Sequence, residues 1–283
     1  MMKRITLLSA LSVVAIATSI LPACVSVDAG HNGEDAVVFG NGSRTNIRPS
    51  NNMVTRQLSL GNFDEIDASR VDVVYSVGTP GTATLNAPDN VIDYIKVKND
   101  HGTLKLWIDN DVNINGRLNA TLTVSSRNID EITATLAAKV EVTTPLVVDG
   151  GLDLEGSTSG SIVLGVVKCE KADFDFSTAA TVHVTSIICE GKLDIDASTS
   201  ASITIDKAIA TSLDADAGTA ASVKVAAGSV GKVDLEAATA GKVKVAADIT
   251  GGKASAATGG SVRTHVDKLS EMTSTTGGKV KNI

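Results

Sequence analysis

Leu152-Asp-Leu-Glu155, Ala172-Asp-Phe-Asp175, Leu193-Asp-Ile-Asp196, Leu213-Asp-Ala-Asp216 and Val233-Asp-Leu-Glu236 follow one another at about 20-residue spacing, within the range of solenoid periods. A column of threonines accompanies them: Thr158, Thr178, Thr199, Thr219, Thr239, Thr258 and Thr276. Four positions after each stands an apolar residue, Ile162, Val182, Ile203, Val223, Val243, Val262 or Val280, opening a second alternating run such as Ile203-Thr-Ile205 or Val243-Lys-Val245. Alternation of apolar and polar residues predicts strands with one face inside and one outside. A weaker third apolar position recurs around Ile187-Ile188, Ala208-Ile209, Val230, Ile249 and Leu269. One unit cannot bury its own apolar face, so the units must stack, and the expected fold is an all-β right-handed parallel β-helix, or β-solenoid. The Val, Ile, Thr and Gly content disfavours paired helices, and a propeller blade needs about twice the length per repeat.

The inward column can be checked by volume. Leu154, Phe174, Ile195, Ala215 and Leu235 are equivalent, and two residues on stand Gly156, Phe176, Ala197, Ala217 and Ala237. Phe176 then lies between Gly156 below and Ala197 above, large against small, which is how a core of fixed cross-section reaches native density. Slipping the register by one residue would bury Asp173, Asp194 and Asp214 instead, far too costly for unpaired carboxylates.

The composition suits a long thin core: 43% of the 283 residues are hydrophobic but only 2% are aromatic. A formal net charge of −7 and the lack of a basic stripe with interleaved aromatics speak against nucleic acid as a partner. At the N-terminus, Lys3-Arg4 followed by the apolar run Ile5 to Ala17 has the order of a secretory signal. Leu21-Pro-Ala-Cys24 resembles the lipobox of bacterial lipoproteins, with Pro22 an unusual member, so residues 1–23 are expected to be removed and Cys24 lipidated. The alternative is an ordinary secretory signal cut after Ala29. Gly, Asn, Asp and Ser dominate the next segment, and residues 24–56 read as a flexible tether. Residues 57–283 then form one solenoid domain, irregular over 57–118 and regular over 119–283.

From Phe63 the chain runs Phe63-Asp-Glu-Ile66, Val71-Asp-Val-Val74, Ala83-Thr-Leu85, Ala87-Pro-Asp-Asn90, Ile95-Lys-Val97 and Gly102-Thr-Leu-Lys-Leu106. This order resembles the opening of the bacterial family called putative auto-transporter adhesin, head GIN domain. The resemblance covers Gln57 to Ile283. It implies an all-β coiled domain on a signal-bearing envelope protein, many members being lipoproteins, and it supplies no catalytic residues. Asn99-Asp-His-Gly102 and Gly78-Thr-Pro-Gly81 read as hairpin turns. The region they punctuate is expected to cap the first end of the stack, and Lys279 and Lys281 to blunt the last strand.

Candidate sites are few. Asp173, Asp175, Asp194, Asp196, Asp214 and Asp216 form two outward ladders that could hold Ca²⁺ weakly, although no glycine-bearing calcium loop accompanies them. A solvated charged face, relieved by Lys171, Lys192 and Lys232, is the plainer reading. Lys224 and Lys244, with His183 and Thr204 at equivalent positions, make a cationic strip on the next strand, suited to an anionic glycan or to the acidic strip of another molecule. Cys169 and Cys189 fall one coil apart, near enough for a disulfide yet equally suited to remain stacked thiols. The threonines are expected at a corner, their hydroxyls bonding to backbone. An ice-binding role fits poorly, because each threonine stands alone among small residues. Trp107, Tyr75 and Tyr94 lie outside the regular coils, and a ligand site is best sought where they meet the stack, although core packing also explains them.

The first functional expectation is a non-catalytic, adhesin-like or structural binding module of the bacterial cell envelope, anchored in a membrane through Cys24. It would need no cofactor and would contact a glycan or a protein surface. The competing expectation is a polysaccharide lyase or hydrolase on the same scaffold. Such enzymes wall their clefts with long loops, and from Gly151 to Ile283 the period leaves no room for one.

Overall fold

The computed structural model describes residues 44–283. The signal, Cys24 and the first part of the tether lie outside the described residues. Strand makes up 64% of the described residues, wound into a solenoid of about 8 turns. The inward residues stack as their spacing dictates: Leu154 pairs with Phe174, Phe174 with Ile195, Ile195 with Ala215, and Ala215 with Leu235, all in parallel register. All are buried, as are Phe176, Ala197, Ala217 and Ala237 on the neighbouring column. Gly156 is the partner of Phe176, and the ring occupies the space a side chain there would need.

Each corner is a two-residue turn. Thr158 and Ser159 have φ of 49° and 66°, and the Gly160 amide donates to the Ser157 carbonyl at 2.9 Å, the signature of a type I′ turn. The same turn recurs at Thr178-Ala179, Thr199-Ser200, Thr219-Ala220 and Thr239-Ala240. A β-branched residue at positive φ is strained in isolation. Here stacking holds it, because the amide of the residue after each threonine donates to the threonine carbonyl one coil on: Ser159 to Thr178, Ala179 to Thr199, Ser200 to Thr219 and Ala220 to Thr239, each at 3.0 Å. The bonds that fasten the corner are thus backbone bonds. The expected hydroxyl bonds do not form, and the threonine side chains stand exposed.

The N-terminal region departs from the expected plan in three ways. First, Glu65–Ser69 and Asp72–Val77 are full rungs, paired in parallel with Glu131–Thr135 and Lys139–Val142. On their other side lie Thr103–Ile108 and Thr121–Ser126, so the outermost coil comes later in the chain than the one beneath it. The irregular part therefore does not end at residue 118, and regular rungs begin well before it. Second, Gly78–Gly81 is not a hairpin turn. Thr121–Ser126 lies between Asp72–Val77 and Thr82–Pro88, parallel to the first and antiparallel to the second. Third, ordered strand begins inside the expected tether: Thr45–Ile47 pairs with Val112–Ile114, and Met53–Ser59 runs antiparallel to Thr82–Pro88.

The capping expectation has a clear physical basis. Antiparallel strands Thr82–Pro88 and Ile95–Asp100 lie along the outermost parallel rungs, and a parallel edge that would otherwise present free amides and carbonyls is paired. The hairpin between Ile95–Asp100 and Thr103–Ile108 turns on His101 and Gly102, φ 57° and 105°, as its sequence predicts. At the far end Glu271–Ser274 and Lys279–Asn282 each pair on one side only, with Lys279 and Lys281 exposed.

Candidate functional site

The acidic residues fall in register. Asp153, Asp173, Asp194, Asp214 and Asp234 form one outward column; Glu155, Asp175, Asp196, Asp216 and Glu236 form the second. The first column runs further than the 20-residue period reveals, because Glu131 pairs with Asp153 and Glu65 with Glu131. The signal that could have found them is the shared Asp-Glu-Ile of residues 64–66 and 130–132. Crowding is visible in the proton affinities. Burial against the sheet, then the charges of Asp194 and Asp153, raise Asp173 above the usual carboxylate range. Asp216 is pushed up to about 7, first by burial and then by Glu236, Asp196 and Asp214.

Cations relieve the first column. Lys192 Nζ lies 2.5 Å from Asp194 and 3.2 Å from Asp214, and Lys253 Nζ lies 2.7 Å from Asp234. Lys253 occupies the acid column itself, opposite Asp234, a neutralising step that the period alone conceals. No ion pair within 4.0 Å reaches Asp175, Asp196, Asp216 or Glu236 among the described residues. Nor does any group of three or more His, Cys, Asp or Glu side chains among them converge as a metal centre.

Across the threonine corner the next strand carries the opposite charge. His183, Thr204, Lys224, Lys244, Arg263 and Lys281 are vertical neighbours, with Lys242 and Lys279 on the adjoining column. Arg263 and Lys281 extend the strip beyond the residues singled out by sequence. His183 is held apart from the cations by Asp206, 2.9 Å from its Nε2.

Cys169 and Cys189 are register partners and stand as free thiols, both buried. The Cys169 thiol is pushed up by its hydrogen bond to Cys189 and by burial. Cys189 donates to the Lys192 carbonyl at 3.1 Å, beside the bulge that interrupts the register between Cys189 and Lys192. Among the described residues neither thiol has a hydrogen bond to a histidine, the partner that would activate a nucleophile.

The aromatic residues divide. Tyr75 is core: its hydroxyl donates to the Ser126 carbonyl at 3.1 Å, and its ring meets Phe63 edge-on at 6.1 Å. Trp107 is 36% exposed and borders an open groove of about 370 Å³ with Arg56, Leu58, Leu85, Ile95 and Val97. The cations around it are already paired, Arg56 to Asp93 and Lys96 to Asp109, which leaves an apolar floor with a neutralised rim.

The curated proteins give no match. Among solved structures, a putative adhesin from Parabacteroides distasonis is 17% identical, with a TM-score of 0.62 over 84% of this chain and 100% of that one. A putative adhesin from Parabacteroides merdae is 16% identical, with a TM-score of 0.66 over 84% and 99%. A putative lipid binding protein from Parabacteroides distasonis is 15% identical, with a TM-score of 0.54 over 84% and 100%. At such identities the likeness is one of fold. Residues 62–245 match the model of one family, and the chain belongs to it: putative auto-transporter adhesin, head GIN domain.

Proposed function

We propose that the protein is a non-catalytic, adhesin-like binding module of the bacterial cell envelope, held in a membrane by a lipid on Cys24, with the solenoid serving as a rigid display rod. The observation that carries this reading is the uninterrupted coil. Within each coil two successive strands are joined by a two-residue turn at the threonine corner, and from Gly151 to Ile283 no excursion from the regular stack walls a cleft of the kind polysaccharide-cleaving enzymes need. The description of the family as adhesin supports the same reading. The contact we assign to a ligand is the groove beside Trp107, where a partly exposed indole meets apolar side chains from neighbouring strands, a surface suited to the apolar face of a sugar ring.

Two experiments test this. Trp107 is the single tryptophan, so its fluorescence reports on the groove directly. Titration with a panel of envelope and host glycans should shift the emission for at least one, and Trp107→Ala should abolish binding of that glycan. Cleavage of any polysaccharide in the panel would establish the competing enzymatic reading instead. Cell fractionation tests the anchor: Cys24→Ala should move the protein from membrane to soluble fraction, and an unchanged distribution would remove the lipid from the account.

A further inference from the structure

The two charged columns that lack partners share a geometry. Lys224, Lys244, Arg263 and Lys281 occupy four successive coils, stacked directly over one another and exposed, with no carboxylate within 4.0 Å of any of them among the described residues. Asp175, Asp196, Asp216 and Glu236 occupy four successive coils in the same manner on the other side of the threonine corner. Like charges at about 5 Å repel well inside a Debye length of about 8 Å. The first acidic column is relieved by Lys192 and Lys253 from within the chain, whereas these two columns are not.

We infer that the basic column of one molecule docks on the second acidic column of another copy of this chain, so that rods associate side by side. A divalent cation would relieve only the acids, and a polyanion only the bases. A second copy relieves both. It also brings a spacing match that a flexible polymer lacks: each column is fixed to the backbone rise of about 4.8 Å per coil, so four cations spanning roughly 14 Å stay in phase with four acidic side chains, and their approach favours the ionised form of the crowded Asp216. The columns are offset along the rod. Asp216 and Lys224 lie on the same coil, as do Glu236 and Lys244, and the bases therefore run two coils beyond the acids. Parallel copies would be staggered by two coils, about 10 Å. The contact joins unlike faces, so each added copy leaves one acidic and one basic column free and the assembly grows as an open row. This goes beyond the proposed display role and does not depend on the anchor or on the Trp107 groove.

Sedimentation velocity of the purified chain decides the matter. At about 0.02 M salt the average mass should rise with protein concentration, and at about 0.5 M salt it should fall to the monomer, because the pairs are exposed and screened. Two charge-reversed variants, K224E/K244E/R263E and D175K/D196K/D216K, should each stay monomeric at low salt with unchanged circular dichroism. Mixed in equal amounts they should associate again, each supplying the column the other needs. A wild-type chain that is monomeric at low salt overturns the inference without reference to any variant, and so does either reversed variant that associates like wild type. Retention of a monomeric wild-type chain on a sulfated polysaccharide resin would assign the basic column to a polyanion instead.

Discussion

If coils are vertical neighbours, a change in one must be felt by its partner a full period away in sequence. Gly156 and Phe176 give the sharpest case. A Cβ on Gly156 would lie 2.4 Å from two carbons of the Phe176 ring and 3.1 Å from the Ala180 methyl, so Gly156→Ala overpacks a closed core. Overpacking costs about 1–3 kcal/mol, which exceeds the gain of up to about 1 kcal/mol from restricting the unfolded chain. Phe176→Ala removes a fully buried ring, at a cost of about 3–5 kcal/mol. In the double variant the clash disappears and the new methyl enters the vacated space. The combined loss should therefore fall short of the sum of the two by about 1–3 kcal/mol. Urea unfolding followed by far-ultraviolet circular dichroism measures all four corners of the cycle, provided the m-value is constant. Additivity within about 0.5 kcal/mol would refute the stacking of these two positions.

Other consequences follow from single residues. Asp216 has its carboxyl raised from 3.8 to about 7, so the folded chain holds a proton there that the unfolded chain has released. Its contribution is fully present below pH ~4 and is lost as pH rises towards about 7, so the melting temperature should fall across that window and fall less in Asp216→Asn. The residue as a whole is open to solvent although its carboxyl lies against the sheet among other acids, so screening keeps the effect small; an equal slope in both proteins would contradict the raised proton affinity. Tyr75→Phe removes the donor to the buried Ser126 carbonyl and should cost about 1–3 kcal/mol in the same urea assay, with a neutral result arguing against that bond. Gly228, at φ 119°, faces the Ala208 carbonyl so closely that a Cβ would sit 1.8 Å from its oxygen. Gly228→Ala should therefore lower the unfolding free energy by more than the roughly 1 kcal/mol that left-handed strain alone accounts for, whereas Gly150→Ala, with open space, should not.

The regular coils were legible because three local signals agree on one register. Alternation sets the inward face, the threonine column marks the corner, and Phe176 between Gly156 and Ala197 fixes which residues are neighbours. The first coils were harder to read because spatial order there departs from chain order. Nothing local to Gly78–Gly81 shows that Thr121–Ser126, some forty residues later, inserts beside Asp72–Val77. Thr45–Ile47 and the first half of Met53–Ser59 read as tether for a related reason. Their burial patterns are weak because they pair at the periphery, and so their sequences keep the polar character of a linker. For the site, the charged columns followed from register alone. Their outcome did not: which acids are neutralised depends on Lys253 entering the acid column and on Lys192 bridging two rungs, contacts that a period cannot express. Trp107 and Tyr75 were equivalent on paper, and only the packing of Phe63 over Tyr75 separates core from groove.

The most direct test of the whole account is a nuclear Overhauser spectrum with labelled methyl and aromatic groups. Phe174 is buried between Leu154 on one side and Ile195 on the other, so its ring protons should give cross-peaks to the methyls of both. A spectrum in which the Phe174 ring contacts neither Leu154 nor Ile195 would contradict the stacked coils and everything built on them.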